Sequence, residues 1–109
     1  MQSDSNIIFQ ALADPHRRRV LQLLGEGPRR AGELASEARL SSPAMSRHLR
    51  VLLEAGVIRD ERSAEDARLR VFRLNPVGQV LRGWLEELDD HWADQLASFG
   101  RHAERGVRE

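Results

Sequence analysis

The sequence predicts a mainly α-helical domain with one small β-hairpin, in the order helix, helix, short helix, helix, hairpin, long helix. Three observations carry that prediction. Apolar residues recur at steps of three and four over most of the chain, the period of one helix face. Helix start signals stand at Asp14-Pro15 and at Ser41-Ser42-Pro43. The pattern turns to strand character once, in "VIRDERS" and "RLRVFRLN", and then returns to helix. At 109 residues with no cysteine, the chain is read as a single domain, 1–109, whose core holds without disulfides or thiolate metal sites.

The first helix spans about residues 5–13, with Ile8, Phe9 and Leu12 on one face. The second opens at Pro15, runs through "HRRRVLQLL" with Val20, Leu21 and Leu24 inward, and stops at Gly25. "RRAGELASEA" is a short third helix with Leu34 and Ala35 inward. After a tight turn at residues 39–41, Ser41 or Ser42 caps the fourth helix and Pro43 opens it. Met45, Leu49 and Leu52 form its core face, with Leu53 beside them, and Gly56 ends it. The hairpin loop, Ala64-Glu65-Asp66-Ala67, lacks the glycine that a tight turn favours. Asn75-Pro76 breaks the second strand. A last helix over about residues 77–99 carries Leu81, Leu85, Leu88, Trp92, Leu96 and Phe99 as one stripe, with Gly78 and Gly83 weakening its start. "RHAERGVRE" reads as a solvated tail.

Formal net charge is zero, but its distribution is uneven. Residues 39–73 hold eight Arg against five acids, whereas residues 74–109 hold four Arg against seven. All seventeen cationic residues are Arg, whose planar fork suits phosphate and guanine. No run approaches the roughly 20 apolar residues of a membrane span, and "MQSDSNIIFQ" has no basic leader. The expectation is a cytoplasmic protein with no membrane partner. No nucleotide loop, His-Glu-x-x-His, nucleophile elbow or facing carboxylate pair occurs. The expectation is therefore not an enzyme, and no cofactor.

Two helices joined by a tight turn and followed by a two-stranded hairpin make a winged helix-turn-helix, with its core at about 15–75. Such a fold lays the start of its second helix in the major groove of DNA, where free amides and partial positive charge also suit phosphate. That places Ser42, Pro43, Ala44, Ser46, Arg47, His48 and Arg50 as candidate DNA contacts. Arg47 offers a bidentate fork to guanine, and Ser42 and Ser46 are short enough to approach bases or phosphates. His48 and Arg50 suit phosphates, and Arg68 and Arg70 of the hairpin would clamp the adjacent backbone or minor groove. Taken singly, each has an ordinary explanation: Ser-Ser-Pro is a generic cap, and exposed Arg is a solvated helix face. The combination carries the reading.

"FQALADPHRRRVLQLL", "GELASEARLSSPAMSRHLRVLLEAGVI" and "RVFRL" closely resemble the ArsR family of bacterial winged-helix repressors, in order and with normal spacing from Phe9 to Leu74. The resemblance implies a homodimeric transcriptional repressor that binds an inverted-repeat operator. It also implies a recognition helix at 42–55, a wing at 62–70, and a dimer interface built by the first and last helices, about 5–13 and 77–99. Candidate interface residues are Ile8, Phe9 and Leu12 with Trp84, Leu85, Leu88, Trp92, Leu96 and Phe99. The apolar stripe points the same way, since a patch of that size usually marks an interface. The wing tip departs from the family, with Glu65 and Asp66 where Gly and basic residues are common.

The family's thiol sensor sites are absent, because "AGELASEA" has no cysteine. A second family metal site, on the last helix, finds Asp89, His91 and His102 at its spacing, but Arg105 stands at the fourth position. Three donors would leave a zinc site open, and "WLEELDDHWADQLASF" resembles a non-metal branch in which His91 is a packing residue. The expectation is no metal. A metal-responsive repressor using those three residues, and a winged-helix module that binds protein instead of DNA, are the alternatives. The sequence names no effector.

Overall fold

The computed structural model describes residues 4–87, 94–95 and 97–99. Its elements are α1 (Asp4–Leu12), α2 (Pro15–Leu24), α3 (Ala31–Ala38), α4 (Ser42–Glu54), β1 (Ile58–Arg62), β2 (Arg70–Leu74) and α5 (Pro76–Glu87). This is the mainly helical, winged architecture expected. The strands pair antiparallel, with Ile58 opposite Leu74 and Arg62 opposite Arg70.

Local chemistry sets each boundary. Asp14 accepts from the backbone N–H of His16 at 2.7 Å and of Arg17 at 3.4 Å, which starts α2 behind Pro15. Arg18 reaches back and donates to the carbonyls of Leu12 and Ala13, at 2.8 and 3.1 Å, closing the end of α1. Ser41, not Ser42, caps α4: its hydroxyl accepts from Ala44 N–H at 3.2 Å. Gly56 follows α4 at φ 74, a left-handed conformation that glycine adopts without steric cost. The hairpin loop closes without glycine. Asp66 accepts from Arg68 N–H at 3.0 Å, and Ser63 N–H donates to Leu69 at 2.9 Å.

One core gathers all these elements. Leu12, Val20, Leu21, Leu34, Met45, Leu52 and Val57 are fully buried, with Phe72, Leu74 and Leu85 sealing the hairpin and α5 against them. Burying this set supplies the main stabilisation, on the order of 1.5–3 kcal/mol per large aliphatic side chain.

Two expectations need correction. Arg29 does not begin α3. It is extended and pairs with Phe72, donating at 3.1 Å and accepting at 2.8 Å, so it adds a second backbone partner to β2 beside β1. Leu12 and Leu85, expected at a dimer interface, are 1% and 6% exposed within the single chain and belong to its core. The continuous last helix is described as α5 to Glu87 and as helical again at 94–95 and 97–99. Leu88, Asp89, His91, Trp92, Leu96 and His102 lie outside the described residues.

Gly78 is not merely a weak helix former. A Cβ there would run into the carbonyl of Val57 and lie 3.2 Å from Leu74, so α5 leaves the sheet in close backbone contact. Asn75 fixes the same junction. Its Oδ1 accepts from Gly78 N–H at 2.8 Å while its Nδ2 donates to the Gly56 carbonyl at 2.6 Å.

Candidate nucleic-acid interface

α4 has two faces because its apolar residues follow the helical repeat. Met45, Leu49 and Leu52 are buried at 0%, 3% and 0% exposure, pinning the helix along its length. That leaves Ser42, Pro43, Ser46, Arg47 and Arg50 exposed and Ala44 half-buried. The turn before it is tight because Arg39 takes a left-handed conformation, φ 58 and ψ 44. Leu40 N–H then donates to Ala35 at 2.9 Å. α3 is secured in turn by Glu33, which accepts from Arg30 N–H at 2.9 Å. That hydrogen bond, with the Arg30 guanidinium, holds the Glu33 carboxyl below its usual range.

Arg47 and Arg50 make no ion pair or hydrogen bond with another side chain among the described residues. Two forks and two hydroxyls therefore stand on the exposed face of a capped helix start. That arrangement suits a groove carrying acceptors and negative charge.

The wing is different. Arg68 is held twice by Asp66, at 3.1 and 3.0 Å. Arg70 donates to Asp60 at 2.7 Å and its guanidinium carbon lies 4.7 Å from the Phe72 ring centroid. Arg73 is paired with Glu61 at 2.7 Å. The Arg68 contact holds Asp66 below the usual carboxylate range, and the Arg70 contact does the same for Asp60. Asp60, Glu61 and Asp66 are therefore partners of the wing arginines, whereas Glu65 forms no ion pair among the described residues. Asp66 serves both to close the loop and to orient Arg68. Arg62, opposite Arg70 in the hairpin, is exposed and forms no ion pair among the described residues. Sequence reasoning passed over it, although alternation along β1 places it there.

His48 departs from its expected place on the open face. Its ring is half-buried and lies 5.7 Å, centroid to centroid, from that of His16 at the start of α2. Desolvation lowers its pKa from the ordinary imidazole value, and the nearby Arg17, His16 and Arg47 act in the same direction against Asp14. Nothing local in "SRHL" signals that contact, because its partner is thirty-two residues away.

Of the interface candidates, Ile8 and Phe9 are half-buried, while Trp84 and Phe99 are 44% and 56% exposed. The Phe9 and Phe99 rings meet edge-on at 5.9 Å. Val77 and Val80, at 47% and 73% exposure, continue the outward stripe of Trp84 at helical spacing. Among the described residues no group of three or more His, Asp or Glu is placed to hold a metal ion. No described helix is long and apolar enough to cross a membrane.

A family model described as a helix-turn-helix domain matches residues 12–61. The chain is 37% identical over 93 residues to the HTH-type transcriptional regulator Rv2034 of Mycobacterium tuberculosis, covering 85% of this chain and 82% of that protein. It is 35% identical over 111 aligned positions to the arsenic resistance transcriptional regulator ArsR1 of Pseudomonas putida, covering 93% and 84%. Among solved structures, HlyU from Vibrio cholerae superposes with a TM-score of 0.66 at 24% identity, over 75% of this chain and 87% of that one. That likeness speaks for the fold.

Proposed function

The chain belongs to the ArsR family of winged helix-turn-helix transcriptional regulators, and from that premise we propose that it acts as a homodimeric repressor. Two copies bind an inverted-repeat operator, each laying α4 in a major groove, with the grooves about one helical turn apart. The observation that carries this reading is the exposed, unpaired set of Ser42, Ser46, Arg47 and Arg50 on a helix pinned by Met45, Leu49 and Leu52.

Within the site, Arg47 reads base edges and Arg50 fixes position on the backbone. Arg68 and Arg70 supply secondary wing contacts from side chains already oriented by Asp66 and Asp60. The outward Val77, Val80, Trp84 and Phe99 provide apolar surface for the second copy. The protein works in the cytoplasm, where its operator is.

Selection from a random duplex library with the purified, metal-free protein tests this. Enrichment of an inverted repeat is the expected result. A folded dimer that enriches nothing, with or without zinc, overturns it in favour of a protein-interaction module. Enrichment only with zinc, lost in both His91→Ala and His102→Ala, identifies a metal-dependent regulator instead.

A further inference from the structure

The recognition helix shares a polar cluster with the start of α2. His16 and His48 bring their rings to 5.7 Å with planes tilted by 39°. His16 is exposed and His48 half-buried, and neither imidazole makes a hydrogen bond among the described residues. The charged groups that act most on His48 among the described residues belong to the two elements that meet there. Arg17 comes from α2, Arg47 from α4, and Asp14 from the cap of α2. The Asp14 carboxylate is committed: one oxygen accepts from His16 N–H and Arg17 N–H, and the other lies 3.9 Å from Arg17 Nη2. The Arg17 Nε is buried with no acceptor. The cluster thus gathers two guanidinium groups and two imidazoles against one occupied carboxylate, one residue from Arg47 on the helix that meets DNA.

We propose that His16 and His48 form a binding site for a backbone phosphate of duplex DNA, and that docking the phosphate there takes up a proton. The proposal rests on the DNA-binding reading above and adds a residue, His16, that lies outside the recognition helix. Each neutral imidazole can donate one N–H to a shared phosphate, and protonation of either ring adds a positive charge facing that anion, which turns a neutral hydrogen bond into a charge-assisted one. In the free protein, burial first and then the neighbouring arginines favour the neutral form of His48. A phosphate brings the opposite charge and reverses that balance. The sign follows from linkage. The imidazole pKa is higher in the complex than in the free protein, so affinity rises as pH falls through the bound value. It levels off below the free value, with at most about tenfold per pH unit for one proton. A phosphate contact carries no sequence information, so it appears on any duplex.

The test measures binding of a short mixed-sequence duplex at constant ionic strength between about pH 8 and about pH 6, the range in which imidazoles titrate. Wild-type affinity is expected to strengthen by roughly three- to tenfold on acidification. Calorimetry in two buffers of different ionisation enthalpy is expected to show net proton uptake. His16→Gln changes an exposed side chain and should remove most of both effects, as should His48→Gln. His91 and His102 remain in each variant, so the difference from wild type isolates this pair. The proposal is overturned if His16→Gln keeps the full pH dependence and proton uptake. It is equally overturned if wild-type affinity weakens on acidification, the outcome if Arg17 and Arg47 repel a protonated His48 more than phosphate attracts it. Absence of DNA binding at every pH would instead remove the DNA-binding reading itself.

Discussion

Arg39 holds a left-handed conformation in the turn between α3 and α4, at φ 58. That region costs a residue with a side chain roughly 1–2 kcal/mol relative to its preferred backbone, and costs glycine little. Arg39→Gly is therefore expected to raise stability by about 0.5–1 kcal/mol, seen as a higher thermal midpoint; a lower midpoint would mean that the Arg39 side chain stabilises the turn by more than the backbone costs. At the same scale, Arg47 and Arg50 are both exposed and unpaired but are assigned different work. Arg47→Ala should cost about 1–3 kcal/mol on the selected operator and relax preference at one base position. Arg50→Ala should weaken all duplexes alike and reduce the salt slope by about one. Equal losses on selected and mixed-sequence DNA for both variants would abolish that division.

The helices were legible in the sequence wherever their cause was local. Ser41, Pro43, the Met45-Leu49-Leu52 spacing and Gly56 together define α4, and all act within one or two turns. What escaped was non-local. Arg29 leaves its expected helix because Phe72 offers both backbone groups to it from β2. Leu12 reads as one face of an amphipathic helix, and only the assembled core shows that this face is already covered. The acidic wing reads as a repellent for phosphate until Asp66, Asp60 and Glu61 are seen holding Arg68, Arg70 and Arg73. Gly78 belongs to the same class: as a residue type it weakens a helix, yet its place under the Val57 carbonyl requires it. Gly78→Ala should improve helix propensity but destabilise the protein by about 1–3 kcal/mol, because backbone must move. A denaturant midpoint that rises in this variant would show that α5 does not pack so closely.

Over the whole molecule, charge and apolar surface are divided between two regions. The segment that contains α4 and the hairpin has the excess of Arg, and the last segment has the excess of acid and the outward Val77, Val80 and Trp84. A net charge of zero therefore conceals a chain with one region suited to phosphate and another that presents exposed apolar side chains, the surface proposed for the second copy. Trp84→Glu places a charge in the exposed apolar stripe while sparing the core residue Leu85. It should shift the dimer to monomer in sedimentation and weaken operator binding by about 10²–10⁴, the loss expected when two linked contacts become separate ones. An unchanged dimer would move the interface away from this face.

The side chain of Asn75 touches the residue that ends α4 and the first turn of α5 with the two ends of one amide. Such a joint behaves as the rivet of a pair of calipers. In the proposed dimer, with the two copies meeting through α5, the gap between their reading tips would be set by this short linkage rather than by a flexible tether. The spacing of the half-sites would then be a mechanical property of that dimer, and a duplex with one base pair added between them would have to twist to fit.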